Sequence, residues 1–279
     1  MSDWAVGLST GCCWQSSIFD CLEDIRDSGF SRIEICSHVG HLDYHDMGQV
    51  KRAAAQIDAL GLEPYSFHAP FADHIDITSL DEHIRNAGAQ ELMQAADAAA
   101  ALKVKYFVVH PGPEKTPAPA NEKFQRLENA VTVLDRAIAH CRKEGLGLVL
   151  ENMLPHLFAG NVRDLLWVLG ALNSTHIGVC LDTGHAHLSE DPGKVVQKLS
   201  GHLWMVHASD NHGHYDEHLA PGEGDIDWCN LLVQLSRMHF AGTIILELGE
   251  RGDRATTLQA ARRGRSHIRN LSHGLRLQT

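Results

Sequence analysis

Eight short apolar runs, each followed by a longer stretch of helical periodicity, constrain this chain of 279 residues more than any other feature. The runs are Trp4–Ser9, Arg32–Cys36, Glu63–His68, Tyr106–His110, Gly147–Glu151, Ile177–Asp182, Leu203–His207 and Thr243–Glu247. Strands alternating with helices predict an α/β fold with a parallel sheet, because parallel neighbours need a crossover long enough to hold a helix. Eight repeats fit a single closed (β/α)8 barrel better than an open, doubly wound sheet. Between the strands, Phe124, Leu127, Val131, Leu134, Ile138 and Cys141 recur at three and four residues, as one buried helix face requires. Asn121 stands where its N-cap belongs, and Ser79 with Glu82 reads as a capping box before a helix running to about Leu102. No Pro/Ser linker divides the chain, so one domain over 1–279 is expected, with the barrel from about 4 to 272.

Composition narrows the function classes. No apolar run approaches the roughly 18–20 residues of a membrane helix, and the amino terminus lacks a basic start followed by an apolar core. The expectation is a soluble, cytoplasmic protein. Seven cysteines (Cys12, Cys13, Cys21, Cys36, Cys141, Cys180, Cys229) form no dense framework and read as reduced, mostly core residues. A net charge of −11 works against nucleic-acid or anionic-membrane partners, which are gripped by basic patches. Twenty histidines need placing.

Their places are the strand ends. In a barrel of this kind the carboxyl end of every strand opens into one mouth. Strands three to eight finish with His68, His110, Glu151, Asp182 (then His185), His207 and Glu247. A lone polar residue finishing a strand is usually a turn or cap residue. Six in succession are not independent turns, and three carboxylates crowded together are costly without a cation. A divalent metal resolves that cost, since zinc, manganese and cobalt all accept carboxylate oxygen and imidazole nitrogen.

The segment "DNHGHYDEHLAPGEGDIDW", residues 210–228, holds six carboxylates and three histidines with no lysine or arginine. As the loop after strand seven it hangs over the mouth, and Asp216 and His218, two apart, would both face inward on an extended piece. Glu223, Asp225 and Asp227 read instead as cap and turn residues.

The motifs "HAP", "HPG", "LEN", "LDTGHA", "HASDNHG", "DEHLAPGEGDIDW" and "ILEL" at these strand ends resemble the xylose isomerase-like TIM barrel superfamily, which holds sugar phosphate isomerases/epimerases and endonuclease IV. The resemblance spans roughly residues 5–250. For the epimerase branch it implies one divalent metal on Glu151, Asp182, His207 and Glu247, the two glutamates serving also as the acid/base pair, with His185 contacting substrate. For endonuclease IV it implies a trinuclear zinc cluster on His68, His110, Glu151, Asp182, His185, His207, Asp216, His218 and Glu247, all nine of which are present.

Charge separates the two readings. Residues 69–79, 152–162 and 208–228 contain no lysine or arginine, the loop after strand four offers only Lys115, and only Arg251 and Arg254 after strand eight could hold an anion. A nuclease needs more, and "HAPFADHI" and "LENMLPHLF" depart from the endonuclease IV pattern. The expectation is therefore a metal-dependent sugar (or sugar phosphate) isomerase or epimerase using one to three zinc, manganese or cobalt ions. Proton transfer would pass through a metal-stabilised enediolate. Its partner would be a small, sugar-like substrate, more readily unphosphorylated, with Trp14, Phe71 or Trp228 as apolar platforms. The alternatives are a multinuclear-zinc phosphoesterase, a keto-polyol dehydratase or lyase, and a non-catalytic carbohydrate-binding protein. His38, His41, His45, His212 and His214 fall in loops as surface or rim residues.

Overall fold

The computed structural model describes residues 4–114 and 119–276. Its eight strands are β1 (Val6–Ser9), β2 (Arg32–Cys36), β3 (Glu63–His68), β4 (Tyr106–Val109), β5 (Gly147–Glu151), β6 (Ile177–Asp182), β7 (Leu203–Ala208) and β8 (Thr243–Leu246). They pair in parallel in chain order and β8 closes on β1, giving the expected (β/α)8 barrel. The helices are α1 (Ile18–Asp27), α2 (Met47–Ala59), α3 (Glu82–Ala101), α4 (Lys123–Lys143), α5 (Val162–Leu172), a short α6 (Thr183–His187), α7 (Pro192–Lys198), α8 (Trp228–Arg237) and α9 (Arg254–Arg276). None of them is long and apolar enough to cross a membrane.

Two apolar layers hold the barrel together. The larger lies between strands and helices; the smaller fills the interior with Val108, Val149, Cys180, Met205 and Ile245, among others. Successive strand side chains alternate faces, so the residue two places beyond each of these points the same way. Those residues are His110, Glu151, Asp182, His207 and Glu247. His68 joins them because β3 pairs Ser66 with Tyr106 and His68 with Val108. The barrel thus carries an apolar plug with a polar layer directly above it at the mouth.

Local starts differ from expectation. Asp81, not Ser79, caps α3, accepting from the His83 and Ile84 amides at 2.8 and 3.3 Å. The Ser79/Glu82 box therefore does not form. Helix α4 begins one residue later than Asn121 implied, with Glu122 at the N-cap. Phe124 leaves the buried face, 61% exposed and edge-on to Trp167 on α5, while Leu127, Leu134, Ile138 and Cys141 are buried as expected. All seven cysteines are free; Cys229 is exposed, Cys36 half-buried and the rest buried.

Candidate metal centre

Four of the histidines at the mouth have one ring nitrogen already engaged away from the ligand side, whereas His110 Nδ1 has no hydrogen-bond partner. His68 Nδ1 meets the Ala69 carbonyl at 2.9 Å, His185 Nδ1 the Asn152 carbonyl at 2.8 Å and His218 Nδ1 the Glu247 carbonyl at 3.1 Å. His207 Nε2 meets a carboxylate, Glu34, at 2.9 Å. A ring nitrogen that donates to such an acceptor leaves the other as a lone pair when the imidazole is neutral. Those second nitrogens all face carboxylate oxygens.

Three groups result. His207 Nδ1 lies 3.0 Å from both Glu151 Oε1 and Glu247 Oε2, and with Asp182 these four residues bring ligand atoms within 4.8 Å of one another. Glu151 Oε2 turns the other way, to His68 Nε2 at 3.1 Å and His110 Nε2 at 3.2 Å. Asp216 Oδ2 meets His185 Nε2 at 3.3 Å and His218 Nε2 at 2.8 Å. The structure therefore gathers all nine residues singled out in the sequence, although His110 and Glu247 lie just past their strands.

The arrangement is electrostatically incomplete without cations. A lone pair aimed at a carboxylate repels it, so either a proton or a metal must sit between them. In the metal-free protein the protons do this. Burial opposes protonation of His68, but Glu151 outweighs it and pushes the ring up to about 9. His218 goes up to about 10 against burial because of Asp216, and His185 and His207 rise well above the ordinary value in the same way. Burial pushes Asp182 up to about 7, with Glu151 and Glu247 adding to it against His185. Burial would raise Glu247 too, but His207 prevails and holds it at about 2. Buried Asp182 Oδ2 and Asp216 Oδ1 have no hydrogen-bond partner. Oxygen and nitrogen donors with unpartnered buried oxygens fit a borderline divalent ion.

The loop after β7 is built around one carboxylate. Asp210, fully buried, accepts from Asn211 N (3.0 Å), Gly222 N (2.9 Å), Ile226 N (3.2 Å) and Trp228 Nε1 (2.8 Å). Asp227 caps α8 through Asn230 N, and Glu217 accepts from His212 N. Of the six carboxylates there, Asp216 alone joins the cluster. Asp216 and His218 both face the mouth, as expected, but His218 has φ +46°, so the piece does not run extended to its end. Gly184 lets α6 close on this loop: a Cβ there would lie 2.5 Å from Ser209 Oγ and 3.3 Å from Asp216 Oδ1.

Other expectations are corrected. Trp228 is 3% exposed and belongs to the core, whereas Trp14 (42%) and Phe71 (46%) do open on the mouth. Arg251 is held by Glu223 at 2.6 Å and Arg254 by Asp24 at 2.8 Å, so neither is a free anion holder. Lys115 lies outside the described residues. His41 is buried against the Ser16 carbonyl instead of lying at the surface. The sequence reading missed Glu34, fully buried inside the barrel, where Oε2 accepts from Ser66 Oγ (2.8 Å) and meets His207 Nε2.

Comparison with known proteins agrees with this architecture. The family described as xylose isomerase-like TIM barrel matches residues 22–271. An uncharacterised protein of Methanocaldococcus jannaschii is 30% identical over 254 residues, covering 88% of this chain and 84% of that protein. A probable endonuclease 4 of Mycobacterium ulcerans is 29% identical over 209 residues, covering 71% of this chain and 78% of its own. Among solved structures, a D-tagatose 3-epimerase-like protein superposes with a TM-score of 0.83 at 26% identity, covering 95% of this chain and 98% of that one. With the barrel, its polar layer and these matches in hand, the chain belongs to the xylose isomerase-like TIM barrel family.

Proposed function

We propose that this protein is a divalent-metal-dependent isomerase or epimerase of a small sugar, moving a proton at the carbon beside a carbonyl. The observation that carries this reading is the convergence of Glu151, Asp182, His207 and Glu247 within 4.8 Å. Glu151 and Glu247 also line a polar cavity of about 420 Å³. Likeness to the D-tagatose 3-epimerase-like protein supports it.

Those four residues would hold the ion. When bound, it would polarise the sugar carbonyl and neighbouring hydroxyl and so acidify the C–H between them. Glu247 is ionised at neutral pH and its side chain is 21% exposed, so it can take that proton from one side. Glu151, ionised like Glu247, would first take a proton passed on by His68 or His110, at 3.1 and 3.2 Å behind it, and then deliver it to the carbon from the other side. His185 lines the same cavity and would orient a substrate oxygen.

Glu247→Gln should lower solvent-deuterium incorporation into substrate by about 10²–10⁴-fold, the usual loss for a positioned acid or base, with folding intact by circular dichroism. Undiminished exchange removes Glu247 from the pair.

One observation favours a second reading. Glu151 turns its two oxygens to different histidine groups, as a carboxylate bridging two ions does, and His185, Asp216 and His218 form a further group. A multinuclear zinc centre would suit phosphoester hydrolysis, the activity class named for the Mycobacterium ulcerans relative. Metal content by elemental analysis, with deuterium exchange and bis(p-nitrophenyl) phosphate hydrolysis run side by side, separates them. About one manganese or cobalt with exchange supports the isomerase; two or three zincs with hydrolysis alone overturn it.

A further inference from the structure

The mouth is divided. Beside the polar cavity lies a second one of about 330 Å³, and the two share His68, Phe71, His218 and Glu247. The polar side adds Glu151, His185 and Asp216 along with Leu154 and Leu157; the other adds Trp14, Cys36 and Leu248 with Ser9, His38 and glycine backbone. Ligand cavities run from roughly 300 Å³ upward, so each compartment alone is of binding-site size, and the joined space suits a ligand with two unlike parts.

The second compartment is shaped for an apolar face. Trp14 and Phe71, which line it, are 42% and 46% exposed, which is unusual for such large side chains unless something covers them. Neither aromatic is loose: Trp14 packs against His38 with centroids 4.8 Å apart, and Phe71 against His68 (5.2 Å) and His110 (5.1 Å). Rigid aromatic walls lose little on binding.

Charge narrows the occupant further. Among the described residues, no lysine or arginine lines either compartment. Arg251 and Arg254 are already paired. The cations of the mouth, the His68 and His218 rings and any ion on Glu247, all belong to the polar end, so a charged group lying between Trp14 and Phe71 would have none beside it. An ammonium group finds no free carboxylate in the apolar compartment either, since Glu247 is engaged by His207.

We infer that the substrate is a substituted sugar, such as a glycoside, whose polyol end enters the polar compartment while an uncharged, apolar aglycone lies between Trp14 and Phe71. This rests on the isomerase reading and adds the substrate class to it.

The test uses the cobalt-loaded protein and titration calorimetry with methyl β-D-glucoside and phenyl β-D-glucoside. Burying one ring face should tighten the phenyl compound by about tenfold or more over the methyl one. In Trp14→Ala or Phe71→Ala the phenyl-to-methyl ratio should fall to about twofold or less. Equal binding of the two glycosides, or a phenyl advantage that survives both substitutions, overturns the proposal.

Deuterium exchange with unsubstituted ketohexoses, run in parallel, keeps the two ideas apart. Exchange on free ketoses without a phenyl advantage removes the aglycone site and leaves the isomerase. A Trp14-dependent phenyl advantage with no exchange on any sugar keeps the compartment and removes the isomerase.

Discussion

Glu34 shows how much can hang on one side chain that touches no substrate. By accepting from His207 Nε2 at 2.9 Å it fixes the ring so that Nδ1 faces Glu151 and Glu247. Carboxylates behind a ligating histidine orient it and strengthen its donor, and their loss typically weakens metal binding about 10–100-fold. Glu34→Ala should therefore cut cobalt affinity by about that factor in calorimetry, while Glu34→Gln, which keeps an acceptor, loses less. Were Glu34 only packing, the metal-free protein would melt lower and cobalt affinity would not move. The residue escaped notice because only strand ends mark the mouth in the sequence, and Glu34 stands in the middle of "RIEIC". A strand in a closed parallel barrel has no wet face. With the barrel recognised, a glutamate at the middle of β2 had nowhere to point except outward into helices or inward beneath the mouth, and it lies inward, opposite Ser66.

The loop after β7 sets the second half of the site. An isolated antiparallel bridge joins Asp210 to Leu219, and the Asp210 carboxylate gathers three backbone amides and the Trp228 indole. This fold-back is what brings Asp216 opposite His185. Asp210→Ala would leave four donors short of an acceptor at a buried site, at a cost of about 1–3 kcal/mol for each one not rescued by water. A loss of at least about 3 kcal/mol in urea unfolding is expected. The ion on the Glu151 quartet should stay, and any second ion on His185, Asp216 and His218 should be lost; a urea midpoint equal to that of the unsubstituted protein would mean the loop is positioned by other contacts. The acids of this segment were legible as a group and not one by one. Which carboxylate caps, which braces and which faces the mouth depends on backbone angles such as the left-handed His218, and composition carries no record of those. The same is true of helix starts, where Asp81 has the extended angles that a cap needs and Ser79 does not serve.

Across the whole molecule, the barrel and its site were readable for one reason: strand ends are a structural coordinate that the chain itself marks. Glu151, Asp182 and His207 lie far apart in sequence, yet each ends an apolar run, and closure of eight such runs puts them on one rim. What the runs do not encode is charge balance in three dimensions, which is why Arg251 and Arg254 were expected to be free. That balance predicts how stability follows pH. In the metal-free fold His68 and His218 titrate at about 9 and about 10, above the ordinary 6.5. Groups whose folded value is raised stabilise the fold fully below the unfolded value, and that contribution fades as pH climbs through the folded one. Metal-free protein should thus melt at progressively lower temperature from about pH 6.5 to 10. A bound ion takes the place of those protons, so zinc-loaded protein should lose much less over the same range. Zinc binding near pH 7 should also release more than about one proton per chain, read from calorimetry in two buffers of different ionisation enthalpy. Melting temperatures that fall in parallel with and without zinc, together with zinc uptake that frees no protons, would mean the histidines do not exchange protons for metal.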